Sequence, residues 1–259
     1  MASSFKDLEP SMAKEQNGGN FLANITKNFV SKKQPVFVMA HSNNVQISGL
    51  TFEDSPKMHV AFERSTLIYA TKLTIRAPED SPNTDGIHIQ HSTNVSIDHS
   101  IIQTGDDCIS IGDGSKYLNI SNINCGPGHR ISIGSLGIKG KTEETEFGGH
   151  GYARYIKFER IISYGATRPT IVDQYYCPHK HSAAEVSNVA YSYIHGTSHK
   201  EIARELACSE STPCKNITMK DINLRNKNEE ESTSSYCLNV EGFRNARVNP
   251  NVYCLQQDE

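Results

Sequence analysis

"GIHIQHSTNVSIDHSIIQTGDDCISIGDGSKYLNISNINC" runs from Gly86 to Cys125 and holds two interleaved series of short alternating strands. One series is "IHI" at Ile87 and "ISI" at Ile109, which are 22 residues apart. The other is "VSI" at Val95 and "LNI" at Leu118, which are 23 apart. Outside this stretch, "ISI" at Ile131 extends the first series by another 22 residues. "VQI" at Val45 and "LTI" at Leu73 extend the second backwards, giving spacings of 28, 22 and 23. Later strands are expected at "IKF" (Ile156), "VAY" (Val189) and "ITM" (Ile217). Period-2 alternation broken by Asn, Gly and Ser is the pattern of half-buried strands joined by turns. Helical periodicity is weak throughout. A sandwich of short strands has no reason to hold a 22-residue period. A leucine-rich repeat would need its Leu-x-x-Leu-x-Leu frame, which is absent. The period predicts an all-β chain folded as a parallel β-helix, each repeat one coil stacked on the last. Asn43-Asn44, Asn94 and Asn119 stand just ahead of strands and are expected to stack at coil corners.

Composition narrows the function classes. The chain has 259 residues, 36% hydrophobic and 21% charged, which supports a substantial core. A net charge of −3 argues against a nucleic-acid partner. No apolar run is long enough to span a bilayer. The start, "MASSFKDLEPSMAKEQ", lacks the apolar core of a signal peptide, so either the protein is intracellular or its native N-terminus is missing. The seven cysteines favour the second reading. None forms a C-x-x-C pair, so zinc is not expected. Three local pairings are available, Cys108 with Cys125, Cys208 with Cys214 and Cys237 with Cys254, and Cys177 is left over. Asn-x-Ser/Thr sequons at Asn24, Asn94, Asn119 and Asn216 point the same way, to secretion.

The repeat also gathers carboxylates. Asp85 precedes the strand at Ile87, Asp106 and Asp107 precede the one at Ile109, and His129 precedes the one at Ile131. Coils stack at about 4.8 Å, so these four ionisable groups fall on three successive layers of one column. Any one of them alone would read as a solvated turn. Calcium would suit the carboxylates but not the histidine. Clustered carboxylates drive one pKa up while another group stays ionised, which supplies a general acid and a general base. Glycoside hydrolysis uses that pairing.

With these residues in place, "NTDG" (83–86), "GDDC" (105–108), "CGPGHRISIGSLG" (125–137) and "IVDQYYC" (171–177) closely resemble the motifs of plant polygalacturonases, glycoside hydrolase family 28. "NVQISGLTFEDSP" (44–56) and the late cysteines agree, and the resemblance spans about Gln34 to Cys254. It implies a right-handed, pectin-lyase-like β-helix over residues 34–259, after a segment 1–33 without a clear counterpart. It also implies inverting hydrolysis of the α-1,4-galacturonosidic bonds of pectin. Asp106 matches the general acid, Asp85 and Asp107 the residues holding the water, His129 the histidine supporting the acid, and Tyr176 a sugar contact. No metal or cofactor is implied. A pectic polysaccharide is the implied partner of a secreted, cell-wall monomer. Inverting enzymes separate their carboxylates by roughly 6.5–9.5 Å, wider than one coil spacing.

The sequence departs from the family in three places. Its Arg-Ile-Lys motif is absent after "SIGSLG", and Ile138–Tyr155 stands where a strand-bearing coil is expected. The strand spacing stretches there from Leu118 to Ile156 (38 residues) and from Ile131 to Ile171 (40 residues), as if one coil were deleted. "RYIK" (154–157) belongs to the following coil, so Lys157 reads as a surface residue. Arg130 replaces the usual glycine after the histidine; its guanidinium can either obstruct the sugar or substitute for the missing cations. The family's N-terminal coils are absent, as is the cysteine partner expected after Cys177. The alternative to an active hydrolase is a catalytically impaired, secreted pectin-binding relative or an incomplete gene product.

Overall fold

The computed structural model describes residues 20–21, 35, 37–136, 151–175, 184–228 and 230–258. Two sheets of parallel strands run along the molecule. The smaller has eight strands: Phe37–Ala40, Val60–Glu63, Ile87–Gln90, Ile109–Ile111, Ile131–Gly134, Thr170–Asp173, Ile202–Ala207 and Ser234–Leu238. They pair in sequence order, each on the next. The larger, of thirteen strands, has Asn43–Ser48, Thr66–Thr71, Thr93–Gln103, Ser115–Cys125, Tyr152–Ala166, Glu185–Ser198 and Cys214–Asn226 as its central run. The strands of these two runs alternate along the chain, and each pair advances the helix by one coil. Among the described residues no helix is long and apolar enough to cross a membrane.

Register explains the period. Ile87, Ile109 and Ile131 are paired neighbours, as are Ile89, Ile111 and Ile133. All six are buried, so each coil lays isoleucine on isoleucine. A one-residue slip would turn every such residue outward, and burial of each is worth about 1.5–3 kcal/mol. Buried serines form a polar rung beside this core. The backbone N–H of Ser42 donates to Ser65 Oγ, and that of Ser65 to Ser92 Oγ, both at 3.1 Å. The three expected disulfides form, Cys108–Cys125, Cys208–Cys214 and Cys237–Cys254. Cys177 lies outside the described residues.

Several expectations need correction. Val45 pairs with Ile68, not with a residue of "LTI" at Leu73, and Ile68 in turn pairs with Val95. Leu73 belongs to a third, shorter face, where Thr74–Arg76 lies beside Thr51–Glu53 and Ile101–Gln103. The strand "TLIYAT" (66–71) was hidden because its outward residues, Leu67 and Tyr69, are apolar although exposed. One corner of each coil turns on a left-handed residue. Asn44, Leu67, Asn94, Tyr117, Tyr155, Asn188, Asn216 and Asn239 all hold it, with φ between 53° and 58°. Asparagine tolerates that conformation through its short polar side chain. Asn216 Nδ2 donates to Asn188 Oδ1 at 2.7 Å, one rung of the expected ladder. Asn43 and Asn119 are exposed strand residues instead, one position before Asn44 and two positions after Tyr117. The far partner of Ile131 is Thr170, so the stretched spacing is 39 residues, not 40. Ile171 pairs with Ser132 on the outward face.

Candidate active site

The small sheet turns one face outward, and the turns entering its strands carry the polar cluster. Two glycines let those turns approach. A Cβ on Gly86 would stand 2.6 Å from the carbonyl oxygen of Cys108, and one on Gly105 would stand 2.2 Å from that of Ser81. Any side chain there would force the coils apart, which accounts for glycine in both "NTDG" and "TGDD". The backbone ladder continues through the turns: Gly86 N donates to Asp107 O (2.8 Å), and His129 N to Asp106 O (2.9 Å). Gly105 N donates to Thr84 Oγ1 at 3.1 Å, tying the two turns together. The Cys108–Cys125 bond clamps the same layer from inside.

Asp85, Asp106, Asp107 and Arg130 line one cleft. Asp85 and Asp107 are one coil apart in register, and Asp106 stands one residue ahead. Each registered aspartate is held by the serine of the following coil. Ser110 Oγ donates to Asp85 Oδ2 at 2.6 Å, and Ser132 Oγ donates to Asp107 Oδ2 at 2.6 Å. His88 Nδ1 lies 2.9 Å from Ser110 Oγ, and burial holds its pKa below the ordinary value. Beneath Asp85, the buried His59 brackets two backbone carbonyls, those of Asp85 and Arg76, each at 3.1 Å.

The electrostatics separate the two adjacent aspartates. Asp107 is buried, and desolvation pushes its pKa up to about 6 although Arg130 and Ser132 pull the other way. Arg130 Nε donates to Asp107 Oδ1 at 2.8 Å. Asp106 is more exposed, and its Oδ1 lies 2.9 Å from Nδ1 of the half-exposed His129. One ligand atom from each of Asp106, Asp107 and His129 fits within 4.8 Å. A cation there would have to displace Arg130 or Ser132 from Asp107, so the donor set suits ionisable catalysis better than metal binding. The arrangement offers one partly exposed carboxyl beside an imidazole, and two anchored carboxylates beside it, facing a cleft.

Among the sequence candidates, Asp85, Asp106, Asp107, His129 and Arg130 come together, and Tyr176 lies outside the described residues. Lys157 sits on the outer sheet, bound to Glu159 at 2.7 Å, as a surface residue should be. Ser110, Ser132, His88 and Lys57 were missed. The first three are the middle residues of "IHI" and "ISI", whose outward direction follows from the inward isoleucines. Between Ser115–Cys125 and Tyr152–Ala166 the pairing is direct, Leu118 on Ile156, so no strand intervenes.

The model for glycosyl hydrolases family 28 matches residues 14–147 and 137–249. The chain belongs to this family. The two matched segments meet at 137–147, inside the stretch where the strand spacing lengthens. This family 28 chain is 41% identical over 242 residues to a polygalacturonase of Persea americana, covering 83% of this chain and 52% of that one. It is 37% identical over 245 residues to polygalacturonase-2 of Solanum lycopersicum, covering 83% and 53%. The family 28 chain thus spans about half the length of the relatives it matches. Its fold resembles endo-xylogalacturonan hydrolase from Aspergillus tubingensis, with a TM-score of 0.62, 18% identity, and coverage of 83% and 65%. A polygalacturonase from Erwinia carotovora superposes with a TM-score of 0.59 at 22% identity, covering 86% and 59%.

Proposed function

We propose that this chain hydrolyses the α-1,4-galacturonosidic bonds of homogalacturonan, the acid polymer of pectin, with inversion at the anomeric carbon. The carrying observation is the cleft in which Asp106 meets His129 while Asp85 and Asp107 are anchored alongside. Asp106 is the general acid: it protonates the glycosidic oxygen as the bond breaks. Asp85 and Asp107 hold the attacking water and accept its proton. His129 supports Asp106 through the Nδ1 contact, and Arg130 orients Asp107 and meets the sugar. Tyr176 supplies a further sugar contact. The reaction uses no metal or cofactor. The three disulfides suit an oxidising compartment, which supports secretion to the cell wall, where the chain works as a monomer built on one β-helix domain over residues 34–259.

A second reading has its own support. Leu118 pairs directly with Ile156, so the coil expected to carry the Arg-Ile-Lys motif has no place between them. Without those cations the chain is a slow enzyme, or a pectin binder with negligible turnover. Reducing-end release from polygalacturonate, beside neutral xylan as control, tests the first reading. Release from polygalacturonate alone supports it. Binding without release by folded protein supports the second.

A further inference from the structure

The cleft is rich in acid. Asp85, Asp106, Asp107 and Asp173 all line it, against Lys57 and Arg130. An anionic polymer entering such a cleft meets repulsion unless a cation is available to it. Arg130 is engaged by Asp107. Lys57 is half-buried at the cleft wall, and its ammonium makes no salt bridge or hydrogen bond among the described residues. Its charge is felt at His88, where it opposes protonation.

Its turn is built, not loose. Ser55 Oγ donates to Met58 O at 3.0 Å, and Ser55 N approaches His59 Nε2 at 3.3 Å. His59 N donates to Asp85 O at 2.8 Å, which fixes this turn one coil before the one bearing Asp85. Val60 pairs with Ile87 and Ile87 with Ile109, so Lys57 lies two coils, roughly 10 Å, from the Asp106 layer along the axis. A carboxylate at Lys57 therefore belongs to a sugar flanking the scissile pair.

We propose that Lys57 is a specificity-determining residue that binds the carboxylate of a neighbouring uronate sugar and makes the cleft selective for unesterified acid. This rests on the reading that the chain acts on galacturonan. Every sugar of that polymer carries a carboxylate, and its methyl ester removes the charge without changing the ring.

The test uses the full chain with Asp106→Asn, to stop turnover, titrated calorimetrically at pH 7 and low salt with an oligogalacturonate and with its methyl ester. Adding Lys57→Met should weaken the acid oligomer about 10- to 100-fold, the span of one charge-assisted hydrogen bond, and leave the ester unchanged. Lys57→Arg should restore most of the loss. In the catalytically intact chain, Lys57→Met should raise KM for polygalacturonate with kcat retained. Unchanged affinity for the acid, or equal loss for acid and ester, would overturn the assignment while leaving the galacturonan reading in place. If the Asp106→Asn parent binds neither oligomer, the galacturonan reading fails, and the role of Lys57 fails with it.

Discussion

Replacing Arg130 with methionine keeps most of the side-chain stem and removes the charge that faces Asp107. In the native protein Asp107 has Arg130 on one oxygen and Ser132 on the other, and burial still lifts its pKa from 3.8 to about 6. A carboxyl raised on folding stabilises the protein below its unfolded pKa and loses that contribution as pH rises through the folded value. Here the window is about pH 4 to 6, and the loss is of order 3 kcal/mol. Arg130 limits the loss. A charge-assisted hydrogen bond contributes roughly 1.5–3 kcal/mol, equivalent to about 1–2 pH units on Asp107. Arg130→Met should therefore destabilise the chain by about that energy above pH 8, where Asp107 must ionise, and little near pH 4, where it is protonated in both proteins. Urea denaturation at the two pH values measures this, provided the m-values match. Asp107→Asn should abolish the difference in a double-mutant cycle. Equal destabilisation at both pH values, or no coupling to Asp107, would mean that Arg130 does not hold the ionised Asp107. The activity should follow: the acidic limb of kcat/KM, set by ionisation of Asp107, should move upward by about 1–2 pH units.

Asp106→Asn should abolish hydrolysis and leave the denaturation midpoint within about 0.5 kcal/mol of wild type, because the change is nearly isosteric at a partly exposed position; retained turnover in a reducing-sugar assay would remove Asp106 from its role. Non-reducing peptide mapping should recover Cys108 joined to Cys125, and Cys108→Ala with Cys125→Ala should cost about 3 kcal/mol for a loop of 17 residues. Free thiols at both positions would refute the clamp. Arg204 is fully buried, and among the described residues no carboxylate pairs with it: its Nε meets Thr170 Oγ1 at 3.1 Å, Nη1 meets Met219 Sδ at 3.2 Å, and Nη2 has no described partner. Burial lowers its pKa to about 10, so carrying the charge at lower pH costs about 3 kcal/mol, and Arg204→Met should raise the urea midpoint at pH 7. A lowered midpoint would mean that the guanidinium has a compensating role.

The architecture was legible because the core repeats itself. Isoleucine on isoleucine every 22 residues declares both the strand and its neighbour. Legibility failed where the inward-outward contrast failed. Leu67 and Tyr69 are apolar but exposed, so their strand shows no alternation, and the alternating "LTI" at Leu73 on the shorter face takes its place in the pattern. Asparagine marks the corner in most coils, yet Tyr117 and Tyr155 adopt the same left-handed conformation, and Asn119, two residues on, imitates the corner without holding it. The site was legible as a column because carboxylates so close in register are rare in a solvated turn. Which aspartate is buried was not, since that depends on Arg130 and Ser132 arriving from the next coil. Ser110 and Ser132 looked like strand filler, although outward serines beside an aspartate column are where anchoring donors must sit. Lys57 was invisible for a simpler reason: its turn reaches the cleft only through stacking with the coil that carries Asp85.

Inversion by Asp106 is tested by following the products of polygalacturonate by proton NMR in the first minutes of reaction with purified, folded chain. New reducing ends should appear first as the β-anomer, because a single displacement at an α-linkage inverts the carbon. The signal should vanish in Asp106→Asn. Two lost charge-assisted contacts together weigh about 3–6 kcal/mol, so the rate should fall roughly 10²- to 10⁴-fold below that of a relative with the Arg-Ile-Lys coil. First appearance of the α-anomer, or release that persists in Asp106→Asn, would contradict inversion by Asp106.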